Sequence, residues 1–256
     1  MSQKPIIRTI HHLSCSGGSV FSKCIGAMPN TQIISEAHPY NLRYDFIPFD
    51  PLQTFLVQTS LKNNSKLLEK IFLRRLITAH GFAQELNLKI VLRDHTHSDY
   101  LYPVSIDNIR NRASLLAVIQ NHFQVQSVLT VRDPMNSYSS ARKQNMLRKV
   151  KSFEDYCSRF LLMIDTYKQA GAAIFRYEDF CDEPDTTLQA ICAALDLTYS
   201  DQYAKTFYKI PMTGDSGRAA RIKEIKPLKP RQMTDAFLNE AAASPAYQKI
   251  RQLFAY

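Results

Sequence analysis

Short apolar segments with the character of β-strands alternate with segments of helical periodicity along most of the chain, which restricts the folds it can adopt. Strands are predicted at 6–13, 31–36, 88–94, 126–134 and 172–180, and helices at 18–28, 65–82, 114–123, 135–148, 153–169, from Pro184 onwards and near the end of the chain. Strands separated by a helix pair in parallel, because the helix returns the chain to the starting edge of the sheet. The sequence therefore predicts an α/β fold of three layers, αβα, with a central parallel sheet in a single domain over residues 1–256.

The composition limits the class of protein. A chain of 256 residues with 45% hydrophobic residues can bury one sizeable core. It shows no charged-then-apolar leader and no apolar run of about 18 residues, so we expect a soluble, cytoplasmic protein without a transmembrane segment. The five cysteines are scattered and lack the spacing of a zinc site or a disulfide framework, which indicates reduced thiols. The net charge of +9 favours an anionic partner without identifying it.

Two adjacent glycines, Gly17 and Gly18, stand where the first predicted strand gives way to the first predicted helix, in HHLSCSGGSVFSK. A strand, a glycine turn and a helix start present backbone N–H groups and the helix dipole to an anion, and glycine allows a close approach of phosphate. None of the seven glycines is followed by lysine, and none fits GxGxxG, which argues against a Walker-type nucleotidase and a dinucleotide-binding fold. A plain strand-to-helix turn is the alternative interpretation.

A second candidate site lies in VLTVRDPMNSYSSARK. Arg132 ends a predicted strand, and Ser140 lies in the helix that follows. Both are expected near the carboxyl edge of the sheet, where open α/β sheets bind ligands, so they are candidates to hold a second phosphate. The alternative is an arginine paired with Asp133 or with backbone carbonyls.

Several motifs, taken in order, resemble those of the sulfotransferases that use 3′-phosphoadenosine 5′-phosphosulfate (PAPS). They are the lysine-free glycine loop followed by MPN at 28–30, RDPxxSYxSA at 132–141, RYEDF with Pro184 downstream, and TGDSGRAARI from Thr213, which is similar to the late donor-binding loop of bacterial members. The resemblance covers roughly residues 9–222. It implies the P-loop NTPase-like sulfotransferase fold, PAPS as co-substrate with 3′-phosphoadenosine 5′-phosphate (PAP) as product, and no metal.

The resemblance also assigns the donor to positions of this chain. The cradle of the 5′-phosphosulfate falls on the loop residues Ser16, Gly17, Gly18, Ser19 and Val20. Arg132 and Ser140 fall on the pair that grips the 3′-phosphate, and Tyr177 on an aromatic position near the adenine. Gly217 and Arg218 match a loop that returns to the 3′-phosphate.

The resemblance places the chemistry at the end of a short strand. Cytosolic members carry Lys-x-His there, with the histidine as general base, and VLRDH puts Arg93 and His95 on that pattern with arginine in place of lysine. Sulfuryl transfer, like phosphoryl transfer, depends mainly on positioning and on cations near the developing charge. A histidine that titrates near neutral pH can accept the acceptor's proton. We therefore expect Arg93 to steady the sulfuryl oxygens and His95 to act as the base.

One position departs from the family pattern. Family loops carry lysine or arginine where this chain has Ser16, at the point where a cation meets the leaving phosphate. We expect His12 to supply that charge, with His11, Lys23 and Arg93 as alternatives. The pair His11 and His12 can also be explained by packing and hydrogen bonding alone.

Other polar residues leave alternatives open. His95 and His97 would form a metal-binding pair if a third ligand were near, but none is found at a recognisable spacing, so no metal is predicted. Glu36 and His38 are alternatives to His95 as the base.

The acceptor is not identified by any motif. Aromatic residues at 40–55 and 98–103 either line an acceptor pocket or pack in loops. A carbohydrate, a lipid or a small molecule with a hydroxyl or amine is compatible with the site. Nucleic acid is not expected as a partner, because the chain lacks a basic helix and an RNP-like strand. A small-molecule kinase with an atypical glycine loop, or a non-catalytic module that binds a nucleotide or polyanion, is the alternative function.

Overall fold

The structure is a computed structural model that describes residues 3–40, 64–103, 107, 113–212, 224–227 and 232–256. In these ranges five strands form one sheet in the order β2-β3-β1-β4-β5, and all neighbouring pairs are parallel. The strands are β1 Ile6–His11, β2 Thr31–Ala37, β3 Lys89–Asp94, β4 Gln124–Val131 and β5 Ala173–Arg176. The predicted central parallel sheet is confirmed.

Helices connect the strands and continue after the last of them. Those of the described residues are α1 Gly18–Gly26, α2 Ser65–Glu85, α3 His97–Tyr100, α4 Ser114–Ile119, α5 Pro134–Lys143, α6 Phe153–Gln169, α7 Tyr177–Asp182, α8 Pro184–Ala194, α9 Tyr203–Thr206, α10 Asp235–Ala242 and α11 Pro245–Phe254. Within the described ranges, no helix combines the length and the apolar character that a membrane crossing requires.

The two faces of the sheet bury separate apolar clusters, because successive residues of a strand point to opposite faces. Leu92 and Leu129 pack in a cluster with residues of α2, α4, α6 and α11. Their neighbours Val91 and Val128 pack in a second cluster with residues of α1, α7, α8 and α9. Helices therefore cover both faces, which confirms the predicted three-layer αβα architecture.

Three predicted strands, at 6–13, 126–134 and 172–180, run past the observed strand ends, and the last deviates most. The segment 172–180 is extended only to Arg176, and α7 begins at Tyr177. Glu178 and Asp179 lie in the first turn of α7, where acidic side chains interact favourably with the helix dipole. Phe180 and Cys181 are buried with Tyr177, at the three- and four-residue spacing of a helix face.

The strand order positions the candidate residues. β1 and β4 are neighbours in the sheet, and the chain leaves β1 toward β2 and leaves β4 toward β5, in opposite directions across the sheet. Such a switch point forms a crevice at the carboxyl ends of the strands, which is the usual ligand site of an open α/β sheet. The loop after β1, His95 after β3 and Arg132 after β4 all lie at this edge.

Candidate functional site

A tight turn joins β1 to α1. Cys15 and Gly17 adopt left-handed backbone conformations, with φ of 64° and 86°. The Ser16 hydroxyl donates to the Leu13 carbonyl at 2.7 Å, so it stabilises the turn and lies outside the cleft lining. Gly17 is the N-cap of α1, and this helix end has neither a side-chain cap nor an acidic residue in its first turn. An N-terminus of this kind attracts an anion.

Both glycines are required by the side chains that pack on them. A Cβ at Gly17 would overlap the ring of Tyr177, and its positive φ also disfavours any other residue. A Cβ at Gly18 would overlap the imidazole of His12. The two aromatic rings therefore lie directly against the backbone of the helix start, and the glycine pair is more than a flexible turn.

The Arg93 guanidinium connects the elements that surround this turn. Its Nε donates to His12 Nε2 at 3.0 Å, and its Nη2 donates to Ser19 Oγ of α1 at 3.3 Å. Its Nη1 donates to Ser35 Oγ at 2.9 Å and to Glu36 Oε1 at 2.7 Å, both at the end of β2. Arg93 is buried, so these contacts hold a fixed positive charge beside the helix N-terminus.

His12 is a neutral partner of that arginine. Its Nδ1 faces the Leu13 carbonyl at 3.1 Å and its Nε2 faces the Arg93 Nε–H, so the ring carries its proton on Nδ1. Burial and the adjacent Arg93 charge lower the pKa of His12 from 6.5 to about 3. His12 therefore does not supply the positive charge expected of it; it orients Arg93, which carries that charge.

Acid should destabilise the protein through His12. Between pH 6.5 and 3 the unfolded chain binds a proton at this position that the folded protein excludes, so the free energy of unfolding falls as the pH falls. The expected loss from pH 7 to pH 5 is about 2 kcal/mol. Urea unfolding at the two pH values measures it. In His12→Gln this pH dependence should shrink by about that amount, and an unchanged pH dependence would contradict the assignment.

His95 and Glu36 form an ion-pair geometry on the other side of Arg93. His95 Nε2 lies 2.9 Å from Glu36 Oε2, and His95 Nδ1 lies 2.5 Å from Ser98 Oγ. Burial by itself raises the pKa of Glu36, but the His95 hydrogen bond and the charge of Arg93 outweigh it and lower the pKa to about 2. Glu36 is therefore an anion that faces Arg93 with one oxygen and His95 with the other.

These groups share one cleft of about 190 Å³. The volume is below the roughly 300–1,000 Å³ of pockets that enclose a whole drug-sized ligand, so the described cleft is too small to enclose such a ligand completely. Its lining residues are His12, Ser14, Cys15, Gly17, Gly18, Ser19, Val20, Glu36, Arg93, His95, His97, Gln144 and Met146.

Solved structures of sulfotransferase domains align with the whole of this chain. The sulfotransferase domain from the Synechococcus olefin synthase aligns with a TM-score of 0.64 and 14% identity over 100% of this chain and 96% of its own. The sulfotransferase domain from the curacin biosynthetic pathway aligns with a TM-score of 0.57 and 17% identity over 100% of this chain and 99% of its own. The chain has the sulfotransferase fold.

A mouse sulfotransferase complexed with PAP shares this fold at a TM-score of 0.50 and 10% identity, over 98% of this chain and 89% of its own. No protein-family model and no curated protein matches the sequence. These comparisons establish the fold. Because the sequence identities are this low, they do not assign roles to individual residues, and those roles are argued from the geometry of the site.

Arg132 and Tyr177 form a second group beside the glycine turn of the sulfotransferase fold. The Arg132 guanidinium lies over the Tyr177 ring at 4.7 Å from its centroid, and its Nη1 donates to the Cys15 carbonyl at 3.3 Å. Asp133 accepts from the Met135 N–H at 3.0 Å and caps α5. Arg132 is thus held next to the turn by an aromatic ring and a carbonyl.

Among the predicted donor-site residues, Ser140 is described and does not line the cleft, and two others fall outside the described ranges. Ser140 is buried in α5, where its hydroxyl donates to the Asn136 carbonyl at 2.9 Å, and it is not among the residues that line the cleft. Gly217 and Arg218 lie outside the described residues, so their predicted contact with the 3′-phosphate stays a prediction. The aromatic residues predicted at 41–55 also lie outside the described ranges.

The alternative histidines and Lys23 do not line the cleft. His11 is fully buried, with Asp94 Oδ2 at 2.8 Å from its Nδ1 and Thr9 Oγ1 at 2.8 Å from its Nε2, so it connects the ends of β1 and β3. His38 faces Asp99 at 3.2 Å and lines a separate apolar cavity between α2 and β2. Lys23 is buried in α1.

The structure adds residues to the cleft that the sequence did not indicate. Gln144 and Met146 line it from the segment after α5, and no spacing or composition marks them. His97 lines it from the first position of α3, and its ring centroid lies 3.6 Å from that of His95. The sequence indicates His97 only as one half of a metal-binding pair, and the signal that could have assigned it to the site is its spacing from His95.

Proposed function

We propose that this protein is a PAPS-dependent sulfotransferase that moves a sulfuryl group to a hydroxyl or amine of a small-molecule, lipid or carbohydrate acceptor. One observation carries the proposal. The uncapped glycine-rich N-terminus of α1, the buried Arg93 and His95 all line one cleft. This combination provides an anion site, a fixed cation and a proton acceptor within the same small volume.

The donor would bind with its phosphosulfate at the start of α1. The backbone N–H groups of Gly18 and Ser19 would hold phosphate oxygens, and Arg93 would contact the bridging oxygen and the sulfuryl group. Arg132, held against Tyr177, would pair with the 3′-phosphate of the same nucleotide. Ser16 would contribute through the shape of the turn, because its hydroxyl bonds the Leu13 carbonyl.

The acceptor would react from the side of Glu36 and His95. Its oxygen or nitrogen attacks sulfur, the bond between sulfur and the bridging oxygen breaks, and PAP leaves with that oxygen while Arg93 balances the charge. His95 accepts the proton from the acceptor, and Glu36 stabilises the resulting imidazolium. His12 acts as a positioning residue, since it holds the guanidinium of Arg93 in this orientation.

A kinase is the second candidate, and the lining of the cleft argues against it. Kinases bind Mg²⁺ through oxygen ligands that bridge the nucleotide phosphates. Among the described lining residues the single carboxylate is Glu36, and it is already paired with Arg93 and His95. Sulfuryl transfer does not require such a metal bridge, so the residues favour PAPS over ATP.

Calorimetric titration with PAP tests the donor site. The wild-type protein should bind PAP, and Arg132→Ala should bind it about 10- to 100-fold more weakly, because a charge-assisted hydrogen bond contributes about 1.5–3 kcal/mol. Arg74→Ala is the matched control, since Arg74 is exposed on α2 and its loss changes the net charge equally. That variant should bind PAP like the wild type.

Three outcomes would contradict the proposal. Binding of ATP with Mg²⁺ but not PAP would favour a kinase. Retention on heparin that disappears at moderate salt, without an effect of PAP, would favour a polyanion-binding module. Equal PAP affinities of Arg132→Ala and the wild type would remove Arg132 from the donor site.

A further inference from the structure

Three metal-ligating side chains meet at the acceptor side of the cleft. Ligand atoms of Glu36, His95 and His97 all lie within 4.8 Å of one another. They come from three elements: Glu36 from β2, His95 from the end of β3 and His97 from the start of α3. The third ligand that sequence spacing could not supply is thus brought to the histidine pair by the pairing of β2 with β3.

The arrangement is close to the geometry of a zinc site. Zinc binds histidine nitrogen and carboxylate oxygen at about 2.0–2.2 Å, so tetrahedral ligand atoms stand about 3.3 Å apart. His95 Nε2 and Glu36 Oε2 are already 2.9 Å apart. A movement of the His97 ring on the order of 1 Å would bring its ligand nitrogen to about this distance from the other two ligand atoms. Three protein ligands leave a fourth position for water or a substrate oxygen.

Neighbouring groups orient two of these ligands. Ser98 Oγ lies 2.5 Å from His95 Nδ1, which leaves Nε2 as the nitrogen directed at Glu36. Arg93 Nη1 donates to Glu36 Oε1 at 2.7 Å, which leaves Oε2 as the oxygen directed at His95. Metal-binding histidines and carboxylates commonly have such hydrogen-bonded partners, which fix the ligand atom.

We propose that Glu36, His95 and His97 form a reversible Zn²⁺ site inside the cleft. Two imidazoles and one carboxylate suit zinc better than Mg²⁺ or Ca²⁺, which prefer oxygen ligands. The nearby positive charge of Arg93 opposes a divalent cation, so the ion is exchangeable and not part of the folded core. All three ligands line the cleft, so the fourth position of the metal opens into it.

An ion at this site would compete with the acceptor. Zn²⁺ bound to His95 and Glu36 would occupy the position beside them from which the acceptor is proposed to react. In a sulfonation assay, Zn²⁺ should therefore act as a competitive inhibitor toward the acceptor and not toward PAPS. This consequence rests on the proposed function, whereas the binding of zinc does not.

Titration with Zn²⁺ alone tests the site on the full chain without a histidine tag. The wild type should bind one ion, and His97→Ala and Glu36→Gln should bind it at least about tenfold more weakly, because loss of even an outer partner of a ligand weakens metal binding 10- to 100-fold. His122→Ala is the control, since His122 is an exposed histidine outside the cleft. Its zinc affinity should equal that of the wild type.

Co²⁺ gives a second readout. A four-coordinate Co²⁺ ion in the wild type should produce intense visible absorption, which His97→Ala should lose and His122→Ala should keep. No zinc binding by the wild type, or equal affinities of His97→Ala and the wild type, would overturn the proposal.

PAP titration of the same proteins separates this proposal from the proposed function. Cooperative urea unfolding of His97→Ala and Glu36→Gln shows whether these variants are folded, independently of any ligand. Zinc binding without PAP binding by the wild type would support the metal site and overturn the proposed function. PAP binding without zinc binding would support the proposed function and overturn the metal site.

Discussion

Gly18→Ala is expected to weaken PAP binding by more than about 100-fold, because two or more charge-assisted hydrogen bonds of about 1.5–3 kcal/mol each are lost. The new methyl group would overlap the His12 ring, so either the ring leaves its site and releases Arg93, or the N-terminus of α1 moves. Overpacking of this kind also destabilises a fold by about 1–3 kcal/mol. Calorimetry with PAP and chemical unfolding measure the two effects.

Gly81→Ala is the matched control for that substitution. Gly81 lies inside α2, and a Cβ there meets no atom within 4 Å. Removal of a glycine from a helix interior should stabilise the protein by about 0.5–1 kcal/mol and leave PAP binding unchanged. If Gly18→Ala binds PAP as tightly as Gly81→Ala does, the start of α1 is not the anion site.

Arg159→Met is expected to cause the largest loss of stability, about 3–5 kcal/mol, because it breaks a buried ion pair and leaves carbonyl groups without their donor. The Arg159 side chain is fully buried and donates to both carboxylate oxygens of Asp155, at 2.8 and 3.2 Å. It also donates to the carbonyls of Tyr100, Pro103 and Lys149, at 2.9–3.1 Å. Urea unfolding measures the change.

Arg148→Met is the control for Arg159→Met. Arg148 is exposed after α5, so the same change in charge should alter the free energy of unfolding by no more than about 0.5 kcal/mol. Equal effects of the two substitutions would show that the buried network contributes nothing specific. Because Tyr100 ends α3, which begins at His97, Arg159 also anchors one wall of the cleft.

The sheet and most of the helices could be predicted from local sequence patterns. α6 was predicted at 153–169, the bounds that it has, because Ser152 caps it and apolar residues recur on one face. The prediction of a strand after Arg176 was wrong, because Tyr177 and Phe180 continue an apolar stretch that is compatible with a strand as well as with a helix. The acidic residues in the first turn of α7 and the burial of its apolar residues at helical spacing favour the helix.

The site was predictable only in part. Arg93 and His95 were assigned through the resemblance of VLRDH to the Lys-x-His pattern, and the glycine pair follows from the turn between a predicted strand and a predicted helix. The neutral state of His12 could not be predicted from the sequence, because its pKa depends on burial and on the charge of Arg93. The meeting of Glu36 with His97 depends on the pairing of β2 with β3 and the start of α3, which no local spacing contains.

Arg93 makes the two halves of the cleft thermodynamically dependent on each other. One guanidinium contacts Ser19 at the start of α1 and Glu36 beside His95. An anion that draws this charge toward α1 weakens its hold on Glu36, and a cation beside Glu36 alters the charge available at α1. Such coupling is reciprocal, so each ligand changes the affinity of the protein for the other by the same factor. The affinity of the cleft for each of two substrates would then depend, through a single side chain, on whether the other is bound.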